Sequence, residues 1–340
     1  MRCLVKNEPK VGVWFDERPI PTITDNEVLI KIKKMSICGT DVHIYKWDSW
    51  AQRTVPLPLI IGHEFVGEIV ELGKSVSTFK MGDRVSGEGH ITCGTCTNCR
   101  KGLKHLCMNC QGVGYHRTGC FAEYFALPAE NVFLIPTSVP DDLAAIFDPF
   151  GNSTHTALAT NLAAEDVLIT GAGPTGLMAA AIARHCGARS VVVTDINPYR
   201  LQLAHEMGAT AALDVSKIKL EDALPALNIH NGFTVGMEMS GSAAGLNSLL
   251  QHCQHGAHIS ILGIYPEPVA INWDLVIFKM LTLKGIYGRE VFKTWYDMTH
   301  LLEGGLNIAP VITHHVSFDD FEEGFQAMLS GKAGKVIVEW

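Results

Sequence analysis

Val167-Leu168-Ile169-Thr170-Gly171-Ala172-Gly173-Pro174-Thr175-Gly176 is the stretch on which the fold of this chain turns. A short apolar run enters G-x-G-x-x-G, and a helical pattern, Thr175 to Cys186, leaves it. In that order each glycine has a task. Gly171 permits the tight turn, Gly173 lets a pyrophosphate approach the backbone, and Gly176 allows close helix–strand packing. The helix N-terminus turns free N–H groups and a positive dipole end toward the phosphates. A lone G-x-G-x-x-G is weak, but here a second apolar run, Ser190 to Thr194, closes on Asp195. A carboxylate there can hold both hydroxyls of an adenosine ribose and repel a 2′-phosphate, so NAD is expected rather than NADP. Arg200 reads either as an adenine-side contact or as an ordinary surface arginine.

Outward from this motif, apolar runs alternate with helix-like segments. The runs are Val167–Thr170, Val191–Val193, Phe233–Met239, His258–Leu262 and Leu281–Ile286; the helical segments are Thr175–Cys186, Tyr199–Met207 and Ala243–Cys253. Such alternation predicts an α/β fold with a doubly wound parallel sheet covered on both faces. The first third reads differently, as short strands and glycine-rich turns. Val28, Ile30 and Ile32 alternate with Lys31 and Lys33, a half-buried strand that runs into Ser36-Ile37-Cys38-Gly39. The chain ends on another apolar strand, Lys335 to Val338.

The 340 residues carry 27 Lys+Arg against 35 Asp+Glu, a formal charge of −8. That balance argues against nucleic acid or an anionic membrane as the main partner. The amino-terminal residues have no apolar signal region, and no apolar stretch is long enough to span a bilayer, so a cytosolic, thiol-reducing location is expected.

The ten cysteines therefore read as metal ligands more readily than as disulfides. Cys93, Cys96, Cys99 and Cys107 follow one another in a Gly/Thr/Asn-rich loop without core periodicity. Four soft ligands on one short lobe suit a closed, structural Zn²⁺ site, with an iron–sulfur centre as the less favoured occupant. A second set is dispersed. Cys38 ends the predicted strand, and His63 and Glu64 lie in Gly62-His63-Glu64-Phe65-Val66-Gly67. Thiolate, imidazole and carboxylate could together hold a catalytic metal with one position open. Taken singly, they are equally a core thiol, a loop histidine and a surface acid. His252, His255 and His258 cross from a helix end into a strand and are not read as a third site.

The Gly62-to-Gly73 motif, the four-cysteine lobe and the Gly171-to-Gly176 loop together resemble the zinc-containing medium-chain dehydrogenases/reductases. That resemblance implies a GroES-like, β-rich catalytic domain over 1–148 and 295–340, with a structural zinc lobe at about 88–112. It implies a Rossmann NAD-binding domain over 149–294. Cys38, His63 and Glu64 become catalytic zinc ligands, and Cys93, Cys96, Cys99 and Cys107 structural ones, two zinc ions per chain. Thr40 and His43 become a proton relay, and Asp148 a residue near the zinc that supports proton transfer, with direct ligation left open. Position 175, Asp195, Arg200, Leu262, Gly263, Ile264, Ile286 and Tyr287 become NAD contacts alongside Gly171, Gly173 and Gly176. Thr175 departs from the family, where an aliphatic residue such as isoleucine is expected.

Finer matches lie in Cys38-Gly39-Thr40-Asp41-Val42-His43, Gly87 to Cys93, Phe147 to Asn152 and Lys284 to Glu290. They resemble the bacterial branch that oxidises the β-hydroxyl of L-threonine, and imply a homotetramer. The alternatives are a polyol or butanediol dehydrogenase of the same family and, from another class, a zinc-lobed binding module without chemistry.

Overall fold

The computed structural model describes residues 1–340 and resolves into two compact units. One comprises Met1–Asp148, Glu290–Trp295 and Ile312–Trp340; the other comprises Pro149–Arg289 and Tyr296–Val311. No helix is long and apolar enough to cross a membrane.

The Pro149–Arg289 unit is built on six parallel strands. Their spatial order is Ala211–Asp214, Ser190–Asp195, Asp166–Thr170, Phe233–Glu238, Cys253–Ile261, Thr282–Gly285. Asp166–Thr170 comes first in the chain yet lies inside the sheet, so the order reverses between it and Phe233–Glu238. In such sheets ligands bind at that reversal, outside the carboxyl ends of the strands. Val167, Leu168, Ile169, Val191, Val192 and Val193 are sealed from solvent. Burial on both faces is why these strands read as continuous apolar runs. Helix starts follow local chemistry. Pro174 opens Pro174–His185, Asn197 caps Pro198–Glu206 by accepting from the N–H groups of Tyr199 and Arg200, and Ser242 caps Ala243–His252 by accepting from Gly245 N–H. The strand Ala211–Asp214 was not anticipated. Ala-Ala-Leu-Asp carries no β-branched residue, and only its pairing with Ser190–Asp195 makes it a strand.

The other unit holds an antiparallel three-stranded sheet, Trp14–Glu17, Arg2–Lys6 and Leu59–Ile60, and a larger sheet of seven strands. At its centre Glu27–Ser36 pairs with Phe65–Leu72, Tyr124–Pro128 and Lys335–Glu339. The predicted alternation of this strand is broken, because Leu29 is buried along with Val28, Ile30 and Ile32. The helices Gly39–Lys46, Ser49–Thr54 and Phe147–Ala157 were also not anticipated. Phe147–Ala157 has a proline, a glycine and several hydroxyl residues, all poor helix formers. Tertiary context overrides this. A Cβ on Gly151 would lie 2.2 Å from Arg289 Cδ, so only glycine fits there. The hydroxyls of Ser153, Thr154 and Thr156 donate back to the carbonyls of Pro149, Phe150 and Asn152.

Candidate active site

Cys38 reaches its place because strand Glu27–Ser36 is gripped just before it. Ser36 N–H donates to Glu64 O and Ile37 N–H to Val336 O, at 3.1 Å each. Gly62 sets the next segment. It has φ +88°, and a Cβ would lie 2.1 Å from Phe121 Cδ1, so glycine alone lets the chain turn His63 and Glu64 inward. The ligand-type atoms of Cys38, His63 and Glu64 lie within 4.8 Å of one another. His63 and Glu64 are 8% and 1% exposed.

The surroundings of this trio fit a cation. Glu64 Oε2 accepts from Lys335 Nζ at 2.6 Å, while Glu64 Oε1 is buried without a partner. Asp41 Oδ2 accepts from Cys38 N–H at 2.9 Å; Asp41 Oδ1 and His63 Nδ1 face each other as an ion pair at 3.9 Å, both buried and without a hydrogen bond. Unmet buried polar atoms cost roughly 1–3 kcal/mol each, and they mark where something charged is missing. Burial alone would lower His63, but the charges of Cys38, Asp41 and Asp148 carry it well above its ordinary value. Burial pushes the Asp41 carboxyl up to about 6. A divalent ion drawing on one sulfur, one nitrogen and one oxygen would relieve this excess of negative charge, and that donor set suits zinc. Asp148 is 8% exposed and contributes to the same field, but it is not one of the three converging donors.

The second cluster joins Cys93, Cys96, Cys99 and Cys107, whose sulfurs also lie within 4.8 Å of one another. Zn–S bonds of about 2.3 Å in a tetrahedron bring sulfurs to that range of separation. Cys96 N–H donates to Cys93 Sγ and Cys93 N–H to Cys107 Sγ, at 3.3 Å each. N–H donation from Cys96 and Thr95 draws the Cys93 thiol down to about 5, while burial and its neighbours' sulfurs push Cys99 up to about 12. Cys110 is outside the cluster.

Thr40 and His43 lie one turn apart on Gly39–Lys46, and so on one face of it. His43 is largely exposed, and its Nδ1 is bonded to Asp48 Oδ2. Asp48 Oδ1 meanwhile caps Ser49–Thr54, accepting from Trp50 N–H and Ala51 N–H at 3.0 and 3.1 Å. One carboxylate thus orients the imidazole and starts the next helix. The Trp50 ring lies 5.9 Å from His43 and 6.0 Å from Tyr115, which is 6.3 Å from His63.

In the parallel-sheet unit, a cavity of about 620 Å³ opens at the strand-order reversal, lined by Gly171, Gly173, Asp195, Arg200, Ser240 and Ser242 among others. The glycines differ in what surrounds them. Gly171 has φ +97°, a Cβ on Gly176 would lie 2.0 Å from Gly171 O, and a Cβ on Gly173 would meet nothing within 4 Å. Space above Gly173 is what a pyrophosphate requires. Asp195 Oδ2 accepts Ala172 N–H at 2.6 Å, tying the acid to the loop. Arg200 Nε is buried without a partner, a donor held in reserve at the cavity. These groups fit a dinucleotide. Thr175, Leu262, Gly263, Ile264, Ile286 and Tyr287 do not line this cavity; Gly263 and Ile264 line a separate one. The Thr175 carbonyl lies 2.9 Å from Ser153 Oγ and competes with the Pro149 carbonyl for its one hydroxyl proton.

Sequence reading missed Asp41, Asp48 and Lys335. Asp41 and Asp48 had a local signal, each an acid in a helix-start position. Lys335 had none, because nothing in its own segment points to Glu64. A third acidic group, Asp142, His315 and Glu339, also converges. Lys34 Nζ already bonds Asp142 at 2.7 Å and Glu339 at 2.8 Å, so its cation is supplied by the chain.

Two family models match this chain, "Alcohol dehydrogenase GroES-like domain" over residues 24–137 and "Zinc-binding dehydrogenase" over 174–304. The chain is 62% identical to an L-threonine 3-dehydrogenase of Protochlamydia amoebophila over 341 residues, covering 100% of both. It is 58% identical to one of Idiomarina loihiensis, again over 100% of both. Among solved structures, a short chain alcohol dehydrogenase from E. coli CFT073 complexed with NADH superposes with TM-score 0.91 at 27% identity, covering 100% of this chain and 99% of that one. The 2R,3R-butanediol dehydrogenase of Bacillus subtilis gives 0.89 at 26% identity, with the same coverage.

Proposed function

This chain belongs to the zinc-binding dehydrogenase family with a GroES-like domain, and from that premise we propose that it oxidises the β-hydroxyl of L-threonine. The products are 2-amino-3-oxobutanoate, NADH and a proton. The observation that carries the substrate is full-length identity of 62% and 58% to relatives named for this activity.

Zinc held by Cys38, His63 and Glu64 supplies a Lewis acid that makes an alcohol acidic near neutral pH, and NAD⁺ supplies the hydride acceptor. The chain's own residues handle the rest. Thr40 can both accept and donate a proton through one hydroxyl. His43 is exposed and held by Asp48 at Nδ1, which leaves Nε2 to take a proton and release it to water. Asp148 adds to the field that raises His63 and supports proton transfer, whether or not it also ligates. Cys93, Cys96, Cys99 and Cys107 hold a second, structural zinc.

In the groove, Gly171 and Gly173 seat the pyrophosphate while Gly176 lets the helix pack close behind them, Asp195 takes the ribose hydroxyls and Arg200 the adenosine side. Leu262–Ile264, Ile286 and Tyr287 serve the remainder of the dinucleotide. In this reading the catalytic domain is 1–148 with 295–340 and the NAD-binding domain 149–294, except that Glu290–Trp295 pack with the first unit and Tyr296–Val311 with the second; the enzyme works in the cytoplasm as a homotetramer.

The likeness to butanediol dehydrogenase makes a polyol or diol substrate the alternative. Initial rates of NADH formation with L-threonine, sorbitol and 2,3-butanediol decide between them. Turnover confined to L-threonine is expected; turnover of a diol with none of L-threonine overturns the assignment.

A further inference from the structure

Glu238 ends the strand Phe233–Glu238 and is sealed from solvent. Its carboxylate meets neutral donors from the strand end at Thr170 and the turn at 240–241, and the Tyr265 hydroxyl interacts with it from a third segment. Oε1 accepts from the N–H groups of Ser240 and Gly241 at 2.9 and 3.1 Å, from the Ser240 hydroxyl, and from the Thr170 hydroxyl at 3.5 Å. Oε2 accepts from Gly241 N–H at 3.2 Å. The main-chain carbonyl of the same residue accepts from Leu262 N–H at 3.0 Å and Gly263 N–H at 3.1 Å.

Two glycines close the arrangement. A Cβ on Gly263 would lie 2.2 Å from Glu238 Oε2 and 2.3 Å from Gly241 N, and a Cβ on Gly241 would lie 2.5 Å from Ile264 O. The turn at 240–242 and the segment at 262–264 thus interlock, with the Glu238 carboxylate wedged between them. Thr170, Met239, Ser240 and Ser242 line the cofactor groove; Glu238 does not.

A buried carboxylate is costly to desolvate, and an apolar residue would fill the space at lower cost. What an apolar residue cannot do is accept the inward-facing N–H groups of an irregular turn. Without that acceptor the turn at 240–242 must rotate outward to find water, and one wall of the groove goes with it. We propose that Glu238 is a positioning residue for the cofactor: it locks the 240–242 turn against Gly263 and so sets NAD affinity without touching the dinucleotide.

This proposal rests on the reading of the groove as the NAD site. The test is NADH fluorescence titration of the full-length Glu238→Gln protein, with zinc content, thermal melting and steady-state kinetics measured on the same sample. Glutamine keeps the volume but turns an N–H₂ toward the Gly241 N–H, so one side of the lock opposes itself. The NADH Kd and the KM for NAD⁺ should both rise about 10-fold, with kcat at saturating NAD⁺, the KM for L-threonine and zinc content held within about 2-fold. An NADH Kd within 2-fold of the parent overturns the proposal. So does a melting point that falls with kcat and both KM values worsening together, which would mean a structural role alone. Should Glu238→Gln fail to fold, Glu238→Asp, which keeps the charge but draws the carboxylate back from the turn, is expected to weaken NADH about 3-fold; unchanged binding overturns the proposal there too. Parent protein that binds no NADH removes the reading of the groove and this proposal with it.

Discussion

Lys335 Nζ lies 2.6 Å from Glu64 Oε2 and 2.8 Å from the Ile37 carbonyl, with both charged side chains almost fully enclosed. Such a pair is weak evidence for stability, because desolvation offsets most of the attraction, but breaking it strands a charge. Lys335→Met should therefore destabilise metal-free protein by about 3 kcal/mol. Zinc shares the Glu64 charge, so the loss should shrink once the metal is bound. Urea unfolding with and without a chelator measures both; equal losses in the two states would show that Glu64 does not face the metal. Asp195 holds a comparable double position. One oxygen accepts from Ala172 N–H at 2.6 Å, and the other accepts from Ile196 N–H and Asn197 N–H at 2.7 and 2.9 Å. Asp195→Asn keeps most of the shape but removes the charge that repels a 2′-phosphate. Its kcat/KM should fall about 10-fold with NAD⁺ and rise with NADP⁺, and unchanged kinetics with both would count against the ribose role.

Elements differ in how openly they announced themselves. The strands Asp166–Thr170 and Ser190–Asp195 were legible because burial on both faces forces unbroken apolar runs, and the glycine loop was legible because three backbone constraints each exclude a side chain. The four-cysteine lobe was legible from spacing. Phe147–Ala157 was not, since its glycine answers to Arg289 crossing Gly151 from far along the chain. That cause is not written in the local pattern. Likewise Cys38, His63 and Glu64 could be listed from sequence, but their convergence depends on the grip of Lys335–Glu339 and on Phe121 beside Gly62. The lobe makes its own prediction. Its segment contains only the short helix Thr97–Arg100, the 3₁₀ turn Lys104–Leu106 and the strand pair His90–Ile91 with Gln111–Gly112. With so little regular structure, metal binding supplies much of the ordering. Cys96→Ser should leave one zinc per chain and open residues 93–107 to limited proteolysis, read by mass spectrometry. A variant that keeps two zinc ions and resists cleavage would contradict the closed site.

For the whole molecule, a charge of −8 says little about a partner that is a zwitterion and a dinucleotide, both recognised by local groups. What matters at this scale is that metal and cofactor chemistry are assigned to different units with separate cores. Met35, Ile37, Phe65 and Val336 belong to one buried cluster, and Leu168, Val192, Leu249 and Ile259 to another. Cys38 hangs from the first, while the groove formed by Gly171, Asp195 and Arg200 belongs to the unit of the second. Removing the catalytic metal should then abolish turnover and spare the groove. Cys38→Ser is expected to lose activity by more than about 1,000-fold, because the acidity of the alcohol depends on the metal. The same protein should retain the four-cysteine zinc, melt within a few degrees of the parent, and bind NADH with a Kd within about 2-fold. Zinc analysis, melting and NADH fluorescence on one sample read all three. Loss of NADH binding together with activity would mean that the metal centre organises the cofactor groove, and the two chemistries could no longer be assigned to independent parts of the chain.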